Sequence, residues 1–335
     1  NFQNLLMNKV GIIGSGNSAK NFIKALNKSS KFKLCEIGSR NLISSKKISK
    51  IYKTKINVKS INEVINSKET DLVIVCLPGF IQPKIIKKLI LKKKNIICEK
   101  PFSINYSEVK TLRKVIRNQN EIFLVNFCYN FLRPFKIVLN QIKKNTLKLE
   151  KLNISWNVLS KYPKDKKHWK NNNKLTGGVL YNYGSHILNL FFPKKKKIVI
   201  KIKNLNIPFH TCNFSIKDKI DYNFSFSNIA KPPHGLIFEL IGKKGRIKIS
   251  NLKSSGPTSG YKLFTEIYSR NRSKIKKIYL SNKKRAKLFN LYLETLNYYL
   301  KIKKNNKKNY INNFDHASWN TYLLEKIQKK IQKFC

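Results

Sequence analysis

Val10-Gly11-Ile12-Ile13-Gly14-Ser15-Gly16-Asn17-Ser18-Ala19 decides the fold. A short apolar strand runs straight into a Gly-x-Gly-x-x-Ala turn. A helical pattern follows over residues 19–26, with Phe22, Ile23 and Leu26 on one face. The first glycine permits a tight turn, the second lets a phosphate approach the backbone, and small Ala19 lets the helix pack closely on the strand. The helix N-terminus adds N–H donors and the positive end of a dipole. Alone, a Gly-rich turn is a common feature; between a buried strand and a helix it points to a pyrophosphate. Gly14, Ser15, Gly16, Asn17, Ser18 and Ala19 are therefore the expected phosphate loop of a dinucleotide site.

Working outward, residues 32–38 read as a second strand ending in Ser39-Arg40. An acid at this tip would read a ribose hydroxyl; serine and arginine suit a 2′-phosphate, so NADP is favoured over NAD. An arginine there equally stacks on adenine, which keeps NAD in play. Asp71-Leu72-Val73-Ile74-Val75-Cys76-Leu77-Pro78 is a continuous apolar run, as a strand covered on both faces should be. A helix over residues 82–93 leads to Asn95-Ile96-Ile97-Cys98-Glu99-Lys100-Pro101, a strand that stops at a carboxylate, an ammonium and a proline. A helix over 106–117 and a strand over 122–127 follow. Alternating strands and helices specify a parallel, doubly wound sheet, and Lys100 falls at the strand ends where such sheets take their ligands.

After Pro134 the rhythm changes. Leu152, Ile154, Trp156 and Val158 alternate with polar residues, as do Ile198, Ile200 and Ile202, and short strands recur near 236–240, 247–249 and 261–268. That pattern predicts an α+β domain built on an open, mostly antiparallel sheet. Two helical patterns, 285–302 and 316–333, close the chain. The expected organisation is a Rossmann domain over 7–130 and a substrate-binding and oligomerisation domain over 131–335, with the C-terminal helices able to pack back on the first domain.

The net charge is +54, from 70 Lys+Arg against 16 Asp+Glu. Only eight of the basic residues are Arg, and the lysines spread over the whole chain, in runs such as 92–94 and 194–197. A phosphate-reading surface would favour Arg and cluster it on one face. Lys, Asn and Ile crowd every segment, as translation from an AT-rich genome would produce, so no specific nucleic-acid partner is expected. The six cysteines form no C-x-x-C pair or zinc spacing, and no metal is expected. Free cysteines in apolar runs suit a reducing cytoplasm. No apolar run approaches the length of a membrane span, and no signal-peptide core precedes the first turn. Met7 directly precedes the first strand, so residues 1–6 are expected to lie upstream of a natural start.

Thr176-Gly177-Gly178-Val179-Leu180-Tyr181-Asn182-Tyr183-Gly184-Ser185-His186-Ile187-Leu188-Asn189 stands apart from its surroundings. It reads as a helix opened by two glycines, with Asn182 and His186 at i and i+4 on one face. An imidazole beside a hydrogen-bonding partner suits a general base near neutral pH. A lone helical histidine is more often a packing residue. His210, His234 and His316 have no such setting, and only His168, next to Trp169, invites a substrate contact.

The Gly-rich loop, Glu99-Lys100-Pro101 and the Gly-Gly…Asn-Tyr-Gly-Ser-His segment together resemble the Gfo/Idh/MocA family of NAD(P)-dependent oxidoreductases, over nearly the whole chain. The resemblance implies a Rossmann domain and a second domain whose open sheet covers the active site and often mediates oligomerisation. It implies hydride transfer between nicotinamide and a sugar, nucleotide-sugar or cyclitol hydroxyl or ketone, with a homodimer or homotetramer as the assembly. Carried over, Lys100 contacts the reacting oxygen, His186 is the catalytic acid/base and Asn182 stands where the family has aspartate. Leu77, Pro78, Glu99 and Lys100 join the loop residues, Ser39 and Arg40 in holding the cofactor. Specificity falls to Tyr129, Trp156, His168, Trp169 and Tyr183. Three departures discard charge and keep polar shape: Asn182, Gln82 where many members carry histidine, and Asn189 for a frequent aspartate. Loss of the acid at position 182 leaves one alternative, a non-catalytic NAD(P)-binding regulatory protein of the same fold.

Overall fold

The computed structural model describes residues 7–51, 55–116, 120–159, 178–194, 197–202, 210–230, 234–251, 261–269, 272–279, 288–306 and 310–333. The chain divides into two compact units, Asn1–Cys128 with Leu288–Tyr322, and Tyr129–Lys287 with Leu323–Cys335.

In the first unit the strands are β1 (Asn8–Ile13), β2 (Phe32–Gly38), β3 (Asn57–Lys59), β4 (Leu72–Val75), β5 (Asn95–Cys98) and β6 (Phe123–Val125). They form one parallel sheet in the order β3-β2-β1-β4-β5-β6. The order reverses between β1 and β4, which is where a doubly wound sheet opens a crevice at its C-terminal edge. Helices α1 (Asn17–Leu26), α2 (Leu42–Ile51), α3 (Ile61–Asn66), α4 (Gln82–Leu91) and α5 (Tyr106–Ile116) connect the strands. On one face Ile13, Val73, Val75, Ile96 and Cys98 bury against Ile86, Leu89 and Ile90 of α4, Val109 and Leu112 of α5, and Phe314. Alternation along each strand sends Val10, Ile12 and Leu34 to the other face, where they are equally buried. A late helix, α8 (Leu288–Lys304 in this numbering), lies against α1, with Phe22 and Tyr292 in edge contact at 4.6 Å. The sequence pattern predicts none of α2, β3 and α3 between β2 and β4; β3 has only three residues and α3 six.

The second unit opens with α6 (Arg133–Lys144) and β7 (Leu149–Asn157), then continues after α7 (Ser185–Phe191) with β8 (Val199–Ile202), β9 (Thr211–Lys217), β10 (Asp221–Ser227), β11 (Gly235–Gly242), β12 (Gly245–Ser250), β13 (Lys262–Ser269) and β14 (Arg272–Tyr279). The sheet order is β14-β13-β12-β11-β7-β10-β9-β8; β7 and β10 run parallel and every other pair antiparallel. One face is apolar: Leu152, Ile154 and Trp156, then Cys212, Phe214 and Ile216, Tyr222, Phe224 and Phe226, and Leu236, Phe238 and Leu240 are all buried. The other face carries Asn153, Ser155, Asn213, Ser215, Asn223 and Ser225, all half-buried. The apolar face packs on helices, with Phe135 of α6 at 5.1 Å from Phe238 and Phe192 at 4.8 Å from Tyr222. The last helix, α9, spans Phe314–Gln332.

One expectation is corrected in detail. The segment that reads as a single helix through Asn182 and His186 contains a π-helical turn at Leu180–Gly184 before α7 begins. Ser185 Oγ donates to the Tyr181 carbonyl at 2.7 Å, and a side chain at Gly184 would press on Leu180 and on Phe226 of β10. Residue periodicity does not report an inserted turn of this kind. Thr176, Gly177, His168, Trp169, Lys195, Lys196 and Cys335 lie outside the described residues.

Candidate active site

The phosphate loop has the shape its sequence implies. Gly14 takes φ +116, and a Cβ there would collide with the carbonyl oxygen of Cys76, so only glycine lets β1 cross this close to the end of β4. Two backbone bonds hold the turn, Gly14 N to Gly38 O and Cys76 N to Ile13 O, both 2.7 Å. Gly16, at the N-cap of α1, offers no capping side chain, and no acidic residue occupies the first turn. Nothing lies within 4 Å of a Cβ built on Gly16. Open space above an uncapped helix N-terminus fits a pyrophosphate. Gly16 and Asn17 are exposed, Ser15 and Ser18 half-buried, and Ala19 is fully buried under the helix.

At the tip of β2, Ser39 and Arg40 part company. Ser39 is buried, donates its hydroxyl to the Asn41 carbonyl at 2.6 Å and pairs with Ser45 Oγ at 2.7 Å. Arg40 is exposed. Of the two expected 2′-phosphate ligands, the arginine is the exposed one.

The end of β5 is a dense polar network. Lys100 is half-buried, and its backbone N–H donates to Glu99 Oε2 at 3.3 Å. Glu99 is buried, and its Oε1 accepts from Asn126 Nδ2 at 2.8 Å. Asn126 Oδ1 in turn accepts from Thr295 Oγ1 of α8 at 2.8 Å. The Tyr292 hydroxyl hydrogen-bonds both the Glu99 carboxylate and Ser18 of the phosphate loop. Burial pushes the Glu99 carboxyl above the usual carboxylate range, against the opposing pull of Asn126, Lys100 and Tyr292. Burial also raises the Tyr292 phenol well above its ordinary value, with the Glu99 charge adding to it. Leu77 and Pro78, after β4, are half-buried, and Pro78 O accepts from the backbone N–H of Ile81 and Gln82.

In the second unit His186 is buried on α7. Its ring stacks on Tyr129 at 4.2 Å and 28°, and lies 6.5 Å from Trp156. Trp156 in turn packs on Tyr183 at 4.8 Å and on Tyr129 at 5.9 Å. Three of the five expected specificity residues therefore surround His186 as a run of rings. Asn182 is half-buried on the π-helical turn, and Asn189 is buried. The histidines given no role hold backbone and side-chain structure: His210 Nδ1 pairs with Asn228 Oδ1 at 2.9 Å, His234 Nε2 with Ala230 O at 2.8 Å, and His316 Nδ1 accepts from Asn312 N at 3.0 Å. Among the described residues no group of three or more His, Cys, Asp or Glu side chains could hold a metal.

Residues 8–127 match the family model described as oxidoreductase family, NAD-binding Rossmann fold. This amino-terminal stretch is similar to the NAD-binding domain of the Gfo/Idh/MocA oxidoreductases. Beyond it, glucose-6-phosphate 3-dehydrogenase of Bacillus subtilis (strain 168) is 25% identical over 187 residues, 55% of this chain and 53% of that protein. The 2,7-anhydro-N-acetylneuraminate hydratase of Escherichia coli (strain K12) is 24% identical over 136 residues, 38% of this chain and 34% of that protein. The chain thus spans about half the length, or less, of these curated relatives. Levoglucosan dehydrogenase, solved with NADH and L-sorbose, matches with a TM-score of 0.81 at 13% identity over 97% of each chain. KijD10, a 3-ketoreductase from Actinomadura kijaniata solved with NADP and TDP-benzene, matches with a TM-score of 0.76 at 13% identity over 96% of this chain and 97% of that one. At these identities the likeness to the solved structures is one of fold.

Three residues of the polar network around Glu99 carried little visible signal as site residues. Asn126 follows β6, and Tyr292 and Thr295 come from a helix more than 160 residues further along. Their one hint is the polar pair set among Leu291 and Leu296 on the buried stripe of α8, where only apolar residues would be needed for packing.

Proposed function

We propose that the chain is an NAD(P)-dependent oxidoreductase that moves a hydride between nicotinamide and a hydroxyl or ketone carbon of a sugar, nucleotide-sugar or cyclitol. The observation that carries this reading is Lys100 at the end of β5, in the same domain as a phosphate loop with an open, uncapped helix N-terminus. Gly14 to Ala19 would hold the pyrophosphate, Arg40 the adenosine end, and Leu77, Pro78, Glu99 and Lys100 the nicotinamide half. When bound, the cofactor supplies the hydride chemistry.

The chain's own residues do the rest. The Lys100 ammonium stabilises the alkoxide that develops as the carbinol carbon loses hydride. His186 takes the hydroxyl proton in oxidation and returns it in reduction. Asn182 orients the imidazole without adding charge. The half-buried rings of Tyr129 and Tyr183, backed by buried Trp156, offer flat apolar faces of the kind that C–H-rich sugar faces cover. Glucose-6-phosphate 3-dehydrogenase and the 3-ketoreductase, by their names, act on sugars and keto groups, which supports the substrate class. Arg40 supports NADP over NAD. The free cysteines at positions 35, 76, 98, 128 and 212 support a reducing, cytoplasmic setting, and no described helix is long and apolar enough to cross a membrane. A homodimer or homotetramer is the proposed assembly, with the half-buried polar face of the eight-stranded sheet as its contact.

The test is direct. Purified protein with NADP⁺ or NAD⁺ and a panel of sugars and sugar nucleotides is followed at the reduced-nicotinamide absorbance. Turnover that falls at least about 10³-fold in Lys100→Ala and in His186→Ala, with cofactor binding retained, is the expected result. Arg40→Ala weakens NADP⁺ more than NAD⁺. Asn182 is the observation that favours the regulatory alternative. Cofactor binding without turnover on any substrate, indifferent to Lys100→Ala, would establish that alternative.

A further inference from the structure

We propose that Gln82 is the positioning residue for Lys100, a role that rests on the function proposed above and adds a residue to it. Gln82 opens α4 and is fully buried. Its Nε2 donates to the carbonyl of Glu99 at 2.9 Å and to that of Pro101 at 3.0 Å. Those two residues flank Lys100, so a single carboxamide nitrogen holds the main chain on both sides of the lysine. The backbone N–H of Gln82 bonds Pro78 O at 3.2 Å, which ties the same residue to the chain leaving β4. Gln82 therefore links the exits of β4 and β5, the two segments proposed to meet the nicotinamide half of the cofactor.

The chemistry of the side chain explains why glutamine serves here. A carboxamide offers two N–H donors with no charge. A neutral histidine offers one donor and turns its other nitrogen, an acceptor, toward a carbonyl; it matches both carbonyls only when protonated, which burial opposes. A glutamate carboxylate offers none. Gln82 thus holds both carbonyls at every pH. The arrangement leaves Gln82 Oε1 buried with no hydrogen-bond partner among the described residues. A residue kept only for packing would be apolar and carry no such cost, so the amide is there for its two donors.

Three variants test the clamp: Gln82→Met, which keeps volume and removes both donors, Gln82→His, and Gln82→Glu. The first readout needs no turnover. Acetic anhydride labelling, mapped by peptide, gives the reactivity of the Lys100 amine against Lys84, Lys87 and Lys88 as internal standards. In Gln82→Met the Lys100 rate changes at least threefold while the standards stay fixed. The second readout is kinetic: kcat falls by about 10- to 100-fold, the scale of a misplaced catalytic group, and KM for the cofactor moves less than twofold. Gln82→His recovers part of kcat. Gln82→Glu, relative to the wild type, regains activity as pH is lowered and the introduced carboxyl gains a proton to donate. Urea unfolding confirms that each variant is folded; if Gln82→Met is not, Gln82→His and Gln82→Glu decide. Unchanged Lys100 reactivity in folded variants, or a Gln82→Glu profile parallel to the wild type, overturns the proposal. Absence of turnover in the wild type would refute the oxidoreductase reading and leave the labelling result to judge the clamp by itself.

Discussion

Glu99 and His186 are both buried titratable side chains, and their surroundings could hardly differ more. Glu99 sits among donors: Asn126, Tyr292 and the Lys100 N–H reach its carboxylate, and Gln82 and Thr295 fix the next layer out. His186 sits among rings, stacked on Tyr129 with Trp156 and Tyr183 beyond. Hydrogen bonds are directional and each has a fixed length, so the first site sets Lys100 to a narrow position and tolerates few substitutions. Stacked rings fix a plane and exclude water, yet leave protonation to be decided by whatever polar group approaches the imidazole edge. In the first domain the electrostatics are built in. In the second, the function proposed above gives that part to Asn182 and to substrate.

The largest effect expected from that contrast is on stability in the second unit. Trp156 is 3% exposed and touches both Tyr129 and Tyr183. Trp156→Ala removes the middle of the run and costs about 3–5 kcal/mol, while Trp156→Phe keeps most of it. Urea unfolding measures both. Equal losses in the two variants would mean that the ring run does not support the His186 segment.

The next effect is smaller and depends on pH. Because burial raises the Glu99 pKa in the fold, the folded protein holds that proton more tightly than the unfolded chain does. Stability from this group is therefore full below the ordinary carboxylate value of 4.5 and declines as pH rises from there to the raised value, beyond which it is level. Glu99→Gln removes the decline, so the difference in unfolding free energy between the two proteins changes across that window and nowhere else. Tyr292→Phe deletes a donor to the carboxylate, costs about 1–3 kcal/mol at neutral pH and extends the window upward. A pH-independent difference for Glu99→Gln would show that Glu99 has the same affinity for its proton folded and unfolded.

What the sequence revealed divides along the same line. The strand, turn and helix over residues 10–26 were legible because their determinants are local: Gly14 must turn, Ala19 must be small, and Phe22, Ile23 and Leu26 repeat with the helix. Lys100 was legible because Pro101 ends β5 beside it. The network around Glu99 was not. Its partners Asn126, Tyr292 and Thr295 meet it through tertiary packing, and the spacing of α8 puts Tyr292 and Thr295 on the buried stripe without saying what they meet. The donors of Gln82 were hidden for the same reason; the sequence marked only an unusual residue type. In the second unit Trp156 and Tyr183 announced themselves as candidates, but the π-helical turn before α7 did not, since five residues wound more loosely keep an ordinary helical composition. Strands β9 and β10 carry a legible signal of their own, with Cys212, Phe214, Ile216 and Tyr222, Phe224, Phe226 alternating cleanly with polar residues.

The smallest effect bears on the contrast most directly. If protonation at His186 is set by the polar group beside it, an acid at position 182 changes catalysis without changing the fold. Asn182→Asp adds a negative charge on the π-helical turn that precedes α7, on a half-buried site where solvent screens part of it. The charge favours imidazolium, so the histidine binds its proton more tightly. On the function proposed above, His186 would act as a base in the oxidative direction and be neutral at the start, so the acid limb of the kcat/KM profile moves to higher pH, by about half to one unit. The same change makes the deprotonated histidine a stronger base, which raises the plateau rate above that limb. A shift of the limb with a higher plateau would show that the second domain lacks only the charge. An unchanged limb would mean that His186 is not the titrating base, and that its rings hold it for packing.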